Sequence, residues 1–381
     1  MKSRILSSVL ALIMCCTTSL AYANTVAERP HINGQNNKYL NNSTSVAALI
    51  EGITGSVNTY NDFNEEIDCF VAESIGCDIM IPKNGHDVLS LKAIDHNIEM
   101  ELPLEAKDAS GTITDNGTVV YKSTWEDVSV AVQALSTEDG SNSFDAVRTM
   151  VVIENADAPR QYSFNFKLPK GYSLVEDYDY KEDDFDKYDC GAVYILDDNN
   201  RIISTIEPAW AKDASGENIP SKYEICGTTL IQHVDFGDRE QFPIIADPTT
   251  HPTKTSKVYL TKTQVLEMAR LYSNQKSSTW WNVAGCISGG ATAYAKKTGM
   301  LVKITGRLET IGSVYLALSC YLTSMDLYFN AKESELNKFA DKMKSGQYLR
   351  GINYQIWRNG GKNSGYYYKQ GDYVIVNKKD A

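Results

Sequence analysis

Residues 88–102, VLSLKAIDHNIEMEL, decide the fold class of this chain. Apolar and polar side chains alternate within VLSLKAI and IEMEL, as they do in half-buried β-strands. The same period of two recurs at residues 128–132, 147–153, 162–168, 192–196, 201–206, 223–232 and 242–246. Turn residues separate these runs, such as Asp-Asn-Gly at 115–117. Many short strands with frequent turns predict an antiparallel β-sandwich over residues 87–247, within an α+β chain.

The segment before the sandwich has two parts. Residues 1–23 have a basic start, an apolar run and the small-x-small motif Ala21-Tyr22-Ala23, which predict a secretory signal peptide. A lipoprotein signal is the alternative, but neither Cys15 nor Cys16 follows the small residue that a lipobox needs. Residues 24–86 are a polar lead with one short helix. We therefore expect a secreted, extracellular protein.

The helix in this lead is predicted from residue 43 onward. Val46, Leu49, Ile50 and Ile53 recur at helical spacing, and Ser43 or Ser45 is expected to cap the N-terminus.

Charge divides the chain. Residues 257–381 contain 18 Lys and Arg against 8 Asp and Glu, whereas the rest contains 19 and 40. A basic part of this kind is typical of proteins that meet anionic surfaces, and an acidic part can shield it. Between the two parts lies PTTHPTKTSK, residues 248–257, which has two prolines and no large apolar side chain and predicts a linker.

Two polar features lie within the acidic part. The hexapeptide AKDASG occurs at residues 106–111 and again at 211–216, which predicts two similar Asp-Ser-Gly turns or a duplicated half-domain. Residues 176–189, EDYDYKEDDFDKYD, form a surface loop, a calcium site or a face for the basic part; no EF-hand spacing is present.

Residues 258–381 are predicted to form a basic helical hairpin followed by strands. Residues 277–295 and 310–325 are uncharged arms on either side of a cationic turn. Gly285, Gly289 and Ala293 put small residues on one helix face, which allows close helix packing. The candidates for membrane contact combine interfacial aromatic rings with cations, and they are Trp280, Trp281, Lys296, Lys297, Lys303 and Arg307. A soluble hairpin that packs on itself is the alternative. The tail is expected to form strands at residues 348–357, 366–369 and 373–376.

Six cysteines follow the signal peptide. An even number in an oxidising compartment predicts disulfides, and pairing between sequence neighbours is the most economical arrangement. The candidate pairs are Cys69–Cys77, Cys190–Cys226 and Cys286–Cys320. Free buried thiols are the alternative. No C-x₂-C or H-x₃-H spacing indicates a zinc site.

Two stretches resemble known families. RIISTIEPAWAKDASGENIP, YEICGTTLIQHVDF and FPIIADPT, at residues 201–220, 223–236 and 242–249, resemble a domain of large secreted proteins of Gram-positive bacteria. ENADAPRQYSFNFKLPKGYSL at residues 154–174 extends this likeness. These motifs are structural and imply no chemistry.

The C-terminal stretch is similar to closticin-type bacteriocins, which are released from the C-terminus of larger exported precursors. AGCISGG at residues 284–290, LVKITG at 301–306, Ile311-Gly312 and Cys320 carry the resemblance. The tail beyond Cys320 departs from the pattern.

Catalytic motifs are absent from the sequence. None of the five histidines lies in H-E-x-x-H, and neither G-x-S-x-G nor a P-loop occurs. His233 and Asp235 alternate on one strand face, as an acid–base pair or as two exposed polar residues. We expect no enzyme, no metal and no small-molecule cofactor.

These patterns lead to two functional hypotheses. The first is an exported precursor whose basic Gly-rich part, released by a protease at residues 248–257, is a membrane-active antibacterial effector. Its partner is an anionic bacterial membrane or cell surface, and nucleic acid is not expected. The alternative is a secreted or surface-associated, non-enzymatic binding protein with no release step.

Overall fold

The computed structural model describes residues 42–54, 59–73, 77–93, 95–123, 127–136, 144–180, 190–237, 240–266, 269, 301–304, 307–310, 329–358 and 365–377. The elements run in chain order as α1 (Ser43–Thr54), β1 (Asn64–Glu65), β2 (Cys69–Glu73), β3 (Cys77–Pro82), β4 (Val88–Ala93), β5 (Asn97–Glu101), β6 (Gly111–Ile113), β7 (Val119–Lys122), β8 (Val128–Ser136), β9 (Phe144–Ile153), β10 (Gln161–Phe166), β11 (Ser173–Glu176), β12 (Val193–Leu196), β13 (Ile202–Ile206), β14 (Trp210–Lys212), β15 (Asn218–Ile219), β16 (Ser221–Cys226), β17 (Thr229–Val234), β18 (Ile244–Asp247), β19 (Thr249–Pro252), β20 (Lys254–Thr261), β21 (Leu301–Ile304), β22 (Arg307–Thr310), α2 (Phe329–Lys342), β23 (Gln347–Arg358), β24 (Gly365–Gln370) and β25 (Val374–Asn377).

The strands form three antiparallel sheets. Sheet I has the order β1-β2-β3-β4-β5-β10-β17-β16. Sheet II contains β6 to β9, β11 to β15, β18 and β19, and Sheet III has the order β22-β21-β20-β23-β24, with β25 also on β23. The prediction of an α+β chain dominated by antiparallel strands is confirmed.

Sheets I and II enclose the main core. In β8, Val128, Val130 and Val132 join a buried cluster that includes Phe164 of Sheet I, whereas Ala131 points to the opposite face. This division follows from the alternation of side chains along a strand. Sheet I begins at β1, before the predicted sandwich boundary at residue 87.

Helix α1 covers part of the outer face of Sheet II. Val46 and Ile50 are fully buried and pack in a cluster with Met150 and Ile245. The backbone N–H of Ser45 donates to Oδ1 of Asn42 at 2.8 Å. The predicted helix is therefore confirmed, but its cap is Asn42 instead of Ser43 or Ser45, since the helix starts one residue after an asparagine that is an equally good N-cap.

Sheet II divides along one edge of β9. Ile244, Ile245 and Ala246 of β18 pair with residues 151–153 of β9, and β19 pairs with residues 147 and 148. Beyond this point β18 continues to β14 and β15, whereas β19 continues to β13, β12 and β11. Asp247 and Pro248 therefore lie where the two branches separate.

The predicted linker, residues 248–257, instead lies in β-structure, and its residues 248–255 are buried. It contributes β19 and the first half of β20, and it links Sheet II directly to Sheet III. Thr249, Thr253 and Thr255 are at most 1% exposed, and Lys254 is 6% exposed. Threonine is β-branched and favours strands, so the composition that resembles a linker is also compatible with a strand.

The C-terminal strands are those expected. β23, β24 and β25 overlap the predicted strands at residues 348–357, 366–369 and 373–376. Helix α2 was not predicted from the sequence, although Leu336 and Ala340 within it and Met343 just after it recur at helical spacing and are buried.

The cationic turn of the predicted helical hairpin also differs from expectation. Lys303 lies on β21 and Arg307 on β22, and these strands pair with each other beside β20. The two uncharged arms lie outside the described residues. Among the residues that the structure describes, no helix combines the length and the apolar character needed to cross a bilayer.

Candidate functional site

The first candidate site is a polar cluster at the division of Sheet II. We call Arg148, Trp210, Asp247 and Thr249 the division cluster. Nε of Arg148 lies 3.5 Å from Oδ2 of Asp247 and 3.3 Å from Oγ1 of Thr249, which itself donates to Asp247. The Arg148 guanidinium also lies over the Trp210 ring, 5.6 Å from its centroid. The pairings of β9, β14, β18 and β19 place these four residues together.

The carboxyl group of Asp247 is poorly stabilised as an anion. The residue has no exposed surface, and Oδ1 of Asp247 and Nη1 of Arg148 have no hydrogen-bond partner among the described residues. Burial raises the pKa of Asp247 to about 7, although Arg148 and Thr249 act in the opposite direction. Asp247 therefore changes its charge near neutral pH inside the protein.

A histidine–carboxylate pair lies next to this cluster. Nε2 of His251 is 2.6 Å from Oε1 of Glu207, and the imidazole stacks on Trp357 of Sheet III with ring centroids 4.1 Å apart. Burial disfavours the Glu207 anion, but the hydrogen bond with His251 and the charges of His251 and Arg148 together outweigh burial and hold the pKa of Glu207 below its usual value. The stacking of His251 on Trp357 therefore joins β19 to Sheet III.

A second cluster joins all three sheets at one end of the sandwich. We call Asp95, Asp197, Arg201 and Tyr354 the Arg201 cluster. Nη1 of Arg201 is 3.1 Å from Asp95, Nη2 is 2.9 Å from Asp197, and Nη1 also donates to the Tyr354 hydroxyl. Despite burial, hydrogen bonds and charge from His96 and Arg201 hold the pKa of Asp95 well below its usual range. This cluster is a well-satisfied structural contact.

The third candidate is an open cleft between two sheet edges. We call it the edge cleft; it has a volume of about 570 Å³ and lies between β11 of Sheet II and β16 of Sheet I. Its lining residues are Leu174, Val175, Glu176, Asp179, Lys222, Tyr223, Glu224 and Ile225. The Tyr223 hydroxyl donates to the backbone carbonyl of Asp247 at 2.8 Å, so the cleft and the division cluster share a contact.

One predicted cysteine pair differs from expectation. Cys69 and Cys77 are thiols in the structure. Sγ of Cys190 lies 2.9 Å from Oδ2 of Asp177, and Cys226 is the last residue of β16. Cys69 is opposite Pro82 at one end of the β2–β3 hairpin, and Cys77 is at the other end. At roughly 3.3 Å per residue they are on the order of 15 Å apart, far beyond the span of a disulfide. Cys286 and Cys320 lie outside the described residues.

The other predicted site residues fall into two groups. The first group lies outside the described residues and consists of Trp280, Trp281, Gly285, Gly289, Ala293, Lys296 and Lys297. The second group lies on strands and consists of Lys303 and Arg307. His233 is bonded to Glu224 on the neighbouring strand at 2.8 Å, instead of forming the suggested pair with Asp235.

Part of the acidic stretch at residues 176–189 is described. Oδ2 of the buried Asp177 accepts from the backbone N–H of Cys190 at 2.9 Å, so this carboxylate holds the base of the loop. Within the described ranges, no group of three or more His, Cys, Asp or Glu side chains is arranged to hold a metal ion.

The sequence did not indicate the division cluster, because Thr249 lies in the supposed linker and Asp247 just before it, whereas Arg148 and Trp210 are distant in the chain. One signal was present: Asp247, Thr249 and His251 alternate, which places them on one face of a strand. No local pattern links them to Arg148 or Trp357, since these contacts span about 100 residues of chain.

Comparison with known proteins returned no match to the chain among protein-family models, curated proteins or solved structures.

Proposed function

We propose that this protein is a secreted, non-enzymatic binding protein that acts as one intact chain. The observation that carries the proposal is the burial of residues 248–255, which form most of the segment where the release hypothesis requires an exposed cleavage site. This segment is the internal connection between Sheets II and III. A protein that must separate there would have to break its own core first.

The cost of opening this segment follows from its pairing. β20 pairs with β23 over eight residues, from Lys254 to Thr261, and also pairs with β21. β19 is paired with β9 and β13 at the same time. A protease acts on extended, accessible chain, so cleavage here requires sub-global unfolding of two sheets.

Binding is favoured by the presence of a formed concave surface. The edge cleft, at about 570 Å³, lies within the usual size range of ligand sites, and it combines apolar and charged side chains. The division cluster behind it holds a buried carboxyl with a shifted pKa, a feature that concentrates at functional sites. Both features support a binding role without a catalytic constellation.

The bacteriocin-like effector is the second candidate function. It is favoured by the basic charge of residues 257–381 and by the uncharged arms with Trp280, Trp281, Lys296 and Lys297. If this function holds, the releasing cut lies outside residues 248–255, because these residues are buried.

The mass of the secreted species tests the two functions against each other. We expect a single species of the mass of the chain without its signal peptide. A persistent C-terminal fragment that inhibits bacterial growth or permeabilises anionic vesicles would overturn the binding proposal and support the effector.

Limited trypsin digestion tests the burial itself. We expect cleavage after the exposed Lys107 to precede cleavage after Lys254 and Lys257 by at least tenfold in rate, on the order of magnitude expected when only the latter needs unfolding. The same digestion in urea is the control, because all three sites should then be cut at similar rates. Early cleavage after Lys254 would contradict the intact-chain proposal.

A further inference from the structure

We propose that the Asp247–Pro248 bond is a self-cleavage site, which the Asp247 carboxyl group cuts from within the folded chain when the medium becomes acidic. It is the single Asp–Pro bond in the sequence. The reaction needs no protease, so the burial of the bond does not prevent it. The inference goes beyond the binding function, which describes the protein before acidification.

The reaction is an acyl transfer within one residue. An oxygen of the neutral carboxyl group attacks the backbone carbonyl carbon of Asp247 and closes a cyclic anhydride of the succinic type. The bond from this carbon to the nitrogen of Pro248 breaks, and the carboxylic proton passes to that nitrogen. One solvent water then opens the anhydride, which leaves a C-terminal aspartate and an N-terminal proline. A nucleophile held beside its target reacts as if it were highly concentrated.

The structure keeps the attacking carboxyl group neutral. Asp247 has no exposed surface, and its Oδ1 has no hydrogen-bond partner among the described residues. Thr249 donates to Oδ2, so the group is anchored through one oxygen. Burial raises the pKa of Asp247 to about 7, so the neutral form persists to a higher pH than in an ordinary aspartate.

The charged groups that face this carboxyl lie on other elements. Arg148 of β9, with Nε 3.5 Å from Oδ2, favours the anion, whereas Glu207, which follows β13, disfavours it. His251 of β19 is bonded to Glu207 at 2.6 Å. Since burial outweighs Arg148, Asp247 is mostly uncharged below pH 7.

The carbonyl group that is attacked is polarised in advance. The Tyr223 hydroxyl of β16 donates to the backbone carbonyl oxygen of Asp247 at 2.8 Å. Negative charge develops on this oxygen during the attack, and a donor that is already in place stabilises it. Burial holds the pKa of Tyr223 well above its usual value, and Asp247 and Glu207 add to this shift. The phenol therefore keeps the proton that it donates.

Proline is a favourable leaving group at this position. The nitrogen of a prolyl amide is more basic than that of an ordinary peptide, so it accepts the proton and departs more readily. The Pro248 carbonyl accepts from the backbone N–H of Thr149 at 3.0 Å, which fixes the residue on its own side of the bond.

The cut removes no strand pairing, because the bond lies where Sheet II divides. On one side β18 stays paired with β9 and β14, and on the other side β19 stays paired with β9 and β13. We therefore expect the two parts to remain in one body and to separate only in denaturant.

The test uses the purified secreted chain, incubated from pH 5 to pH 8 with protease inhibitors and followed by denaturing gel and mass spectrometry. We expect two fragments, the second beginning at Pro248, whose summed mass exceeds that of the chain by one water. Because the pKa of Asp247 is about 7, the rate should fall about tenfold from pH 5 to pH 8. Absence of a cut at pH 5 would overturn the proposal.

The chain unfolded in urea separates the folded site from the ordinary lability of an Asp–Pro bond. An unfolded aspartate has a pKa of about 4, so about one hundredth of its carboxyl groups are neutral at pH 6. The folded chain should therefore be cut at least tenfold faster at that pH. Equal rates would overturn the proposal.

Tyr223→Phe tests the polarised carbonyl. Cleavage at pH 5 should slow by about a hundredfold, the loss typical of removing one oxyanion donor. The matched control is Tyr162→Phe, which removes another buried hydroxyl that donates to a backbone carbonyl, that of Pro159, and should be cut like the wild type. Equal slowing in both variants would overturn the proposal.

The Glu207–Pro208 bond is an internal control. The Glu207 carboxyl is one methylene longer, and its pKa is lowered by His251, so this bond should stay intact from pH 5 to pH 8. Cleavage of both bonds would indicate general acid hydrolysis and overturn the proposal. Failure of self-cleavage leaves the binding function in place, whereas an active, released C-terminal fragment would overturn that function.

Discussion

The Arg201 cluster and the division cluster both place an arginine beside a carboxylate, yet the pKa values of Asp95 and Asp247 are shifted in opposite directions. The pKa of Asp95 is lowered, whereas burial raises that of Asp247 to about 7. Arg201 contacts both Asp95 and Asp197 within 3.1 Å, and Asp95 also receives a hydrogen bond from His96 at 2.9 Å. Asp247 is fully buried with its arginine 3.5 Å away.

The difference shows that an arginine beside an aspartate does not by itself make a stabilising pair. Removal from water disfavours an anion by several kcal/mol, on the order of what a good ion pair recovers, so complete hydrogen bonding decides the sign. The Arg201 cluster meets that condition and holds the three sheets together. The division cluster does not, and it therefore destabilises the ionised protein at the point where Sheet II divides.

The largest expected effect comes from Arg201→Ala. This substitution leaves Asp95 and Asp197 without their shared cation, so the free energy of unfolding should fall by about 3–5 kcal/mol in a urea titration at pH 7. The matched control is Lys167→Ala, which removes an exposed ion pair with Glu101 and should cost less than about 1 kcal/mol. Equal losses for the two variants would show that the Arg201 cluster has no special role.

Asp247→Asn should have a comparable effect of opposite sign that depends on pH. The pKa of Asp247 is raised to about 7 in the folded protein, so its stability penalty is absent below the unfolded pKa and grows until the folded pKa is reached. The variant should have about the same stability as the wild type near pH 4. Its relative stability should rise by on the order of 1 kcal/mol per pH unit between pH 4 and 7 and stay constant above pH 7.

Denaturant midpoints of both proteins between pH 4 and 8 measure this difference. Comparison with the wild type at each pH cancels the contribution of Asp95, whose lowered pKa makes the protein lose stability only as the pH falls further. A variant that is less stable than the wild type at pH 8 would contradict the assignment.

The smallest expected effect is that of Gly371→Ala, which tests the Tyr354 side of the Arg201 cluster. A Cβ at position 371 would lie 2.8 Å from Cε2 of the Tyr354 ring. The ring must shift away from Arg201, which should cost about 1–2 kcal/mol. Gly365→Ala is the control, because a Cβ there meets nothing within 4 Å. A loss confined to Gly371→Ala in thermal unfolding would locate the effect at the Tyr354 contact, and equal losses would contradict it.

The sequence by itself determined where most strands form. Period-two alternation at residues 128–132 and 147–153 predicted β8 and β9, and similar patterns predicted β4, β5, β10, β12 and β13. The pattern works because it records which face of a strand is buried, a local property. Residues 223–232 mark its limit: they form two strands, β16 and β17, around Gly227, which has a φ of 65°.

Only the tertiary structure decided the conformation of residues 248–257 and the distance between Cys69 and Cys77. A polar, threonine-rich segment becomes a buried strand when partners exist on both sides, and those partners, β9, β13, β21 and β23, lie far away in the chain. Cysteines that are close in sequence lie at opposite ends of the β2–β3 hairpin because the register separates them.

The repeated hexapeptide AKDASG shows most clearly which features the sequence determined and which the tertiary structure decided. In the second copy Asp213 accepts hydrogen bonds from Ser215 and Glu217, and Gly216 adopts a φ of 84°, which is the turn expected from the sequence. In the first copy the glycine, Gly111, instead begins β6, where a Cβ would lie 2.8 Å from the Tyr121 ring.

The sequence thus determined that both copies interrupt a run of strands with a small, polar segment. The tertiary structure decided the role of each glycine. Gly111 allows the close approach of β7, and this strand lies beside it only after the chain has folded.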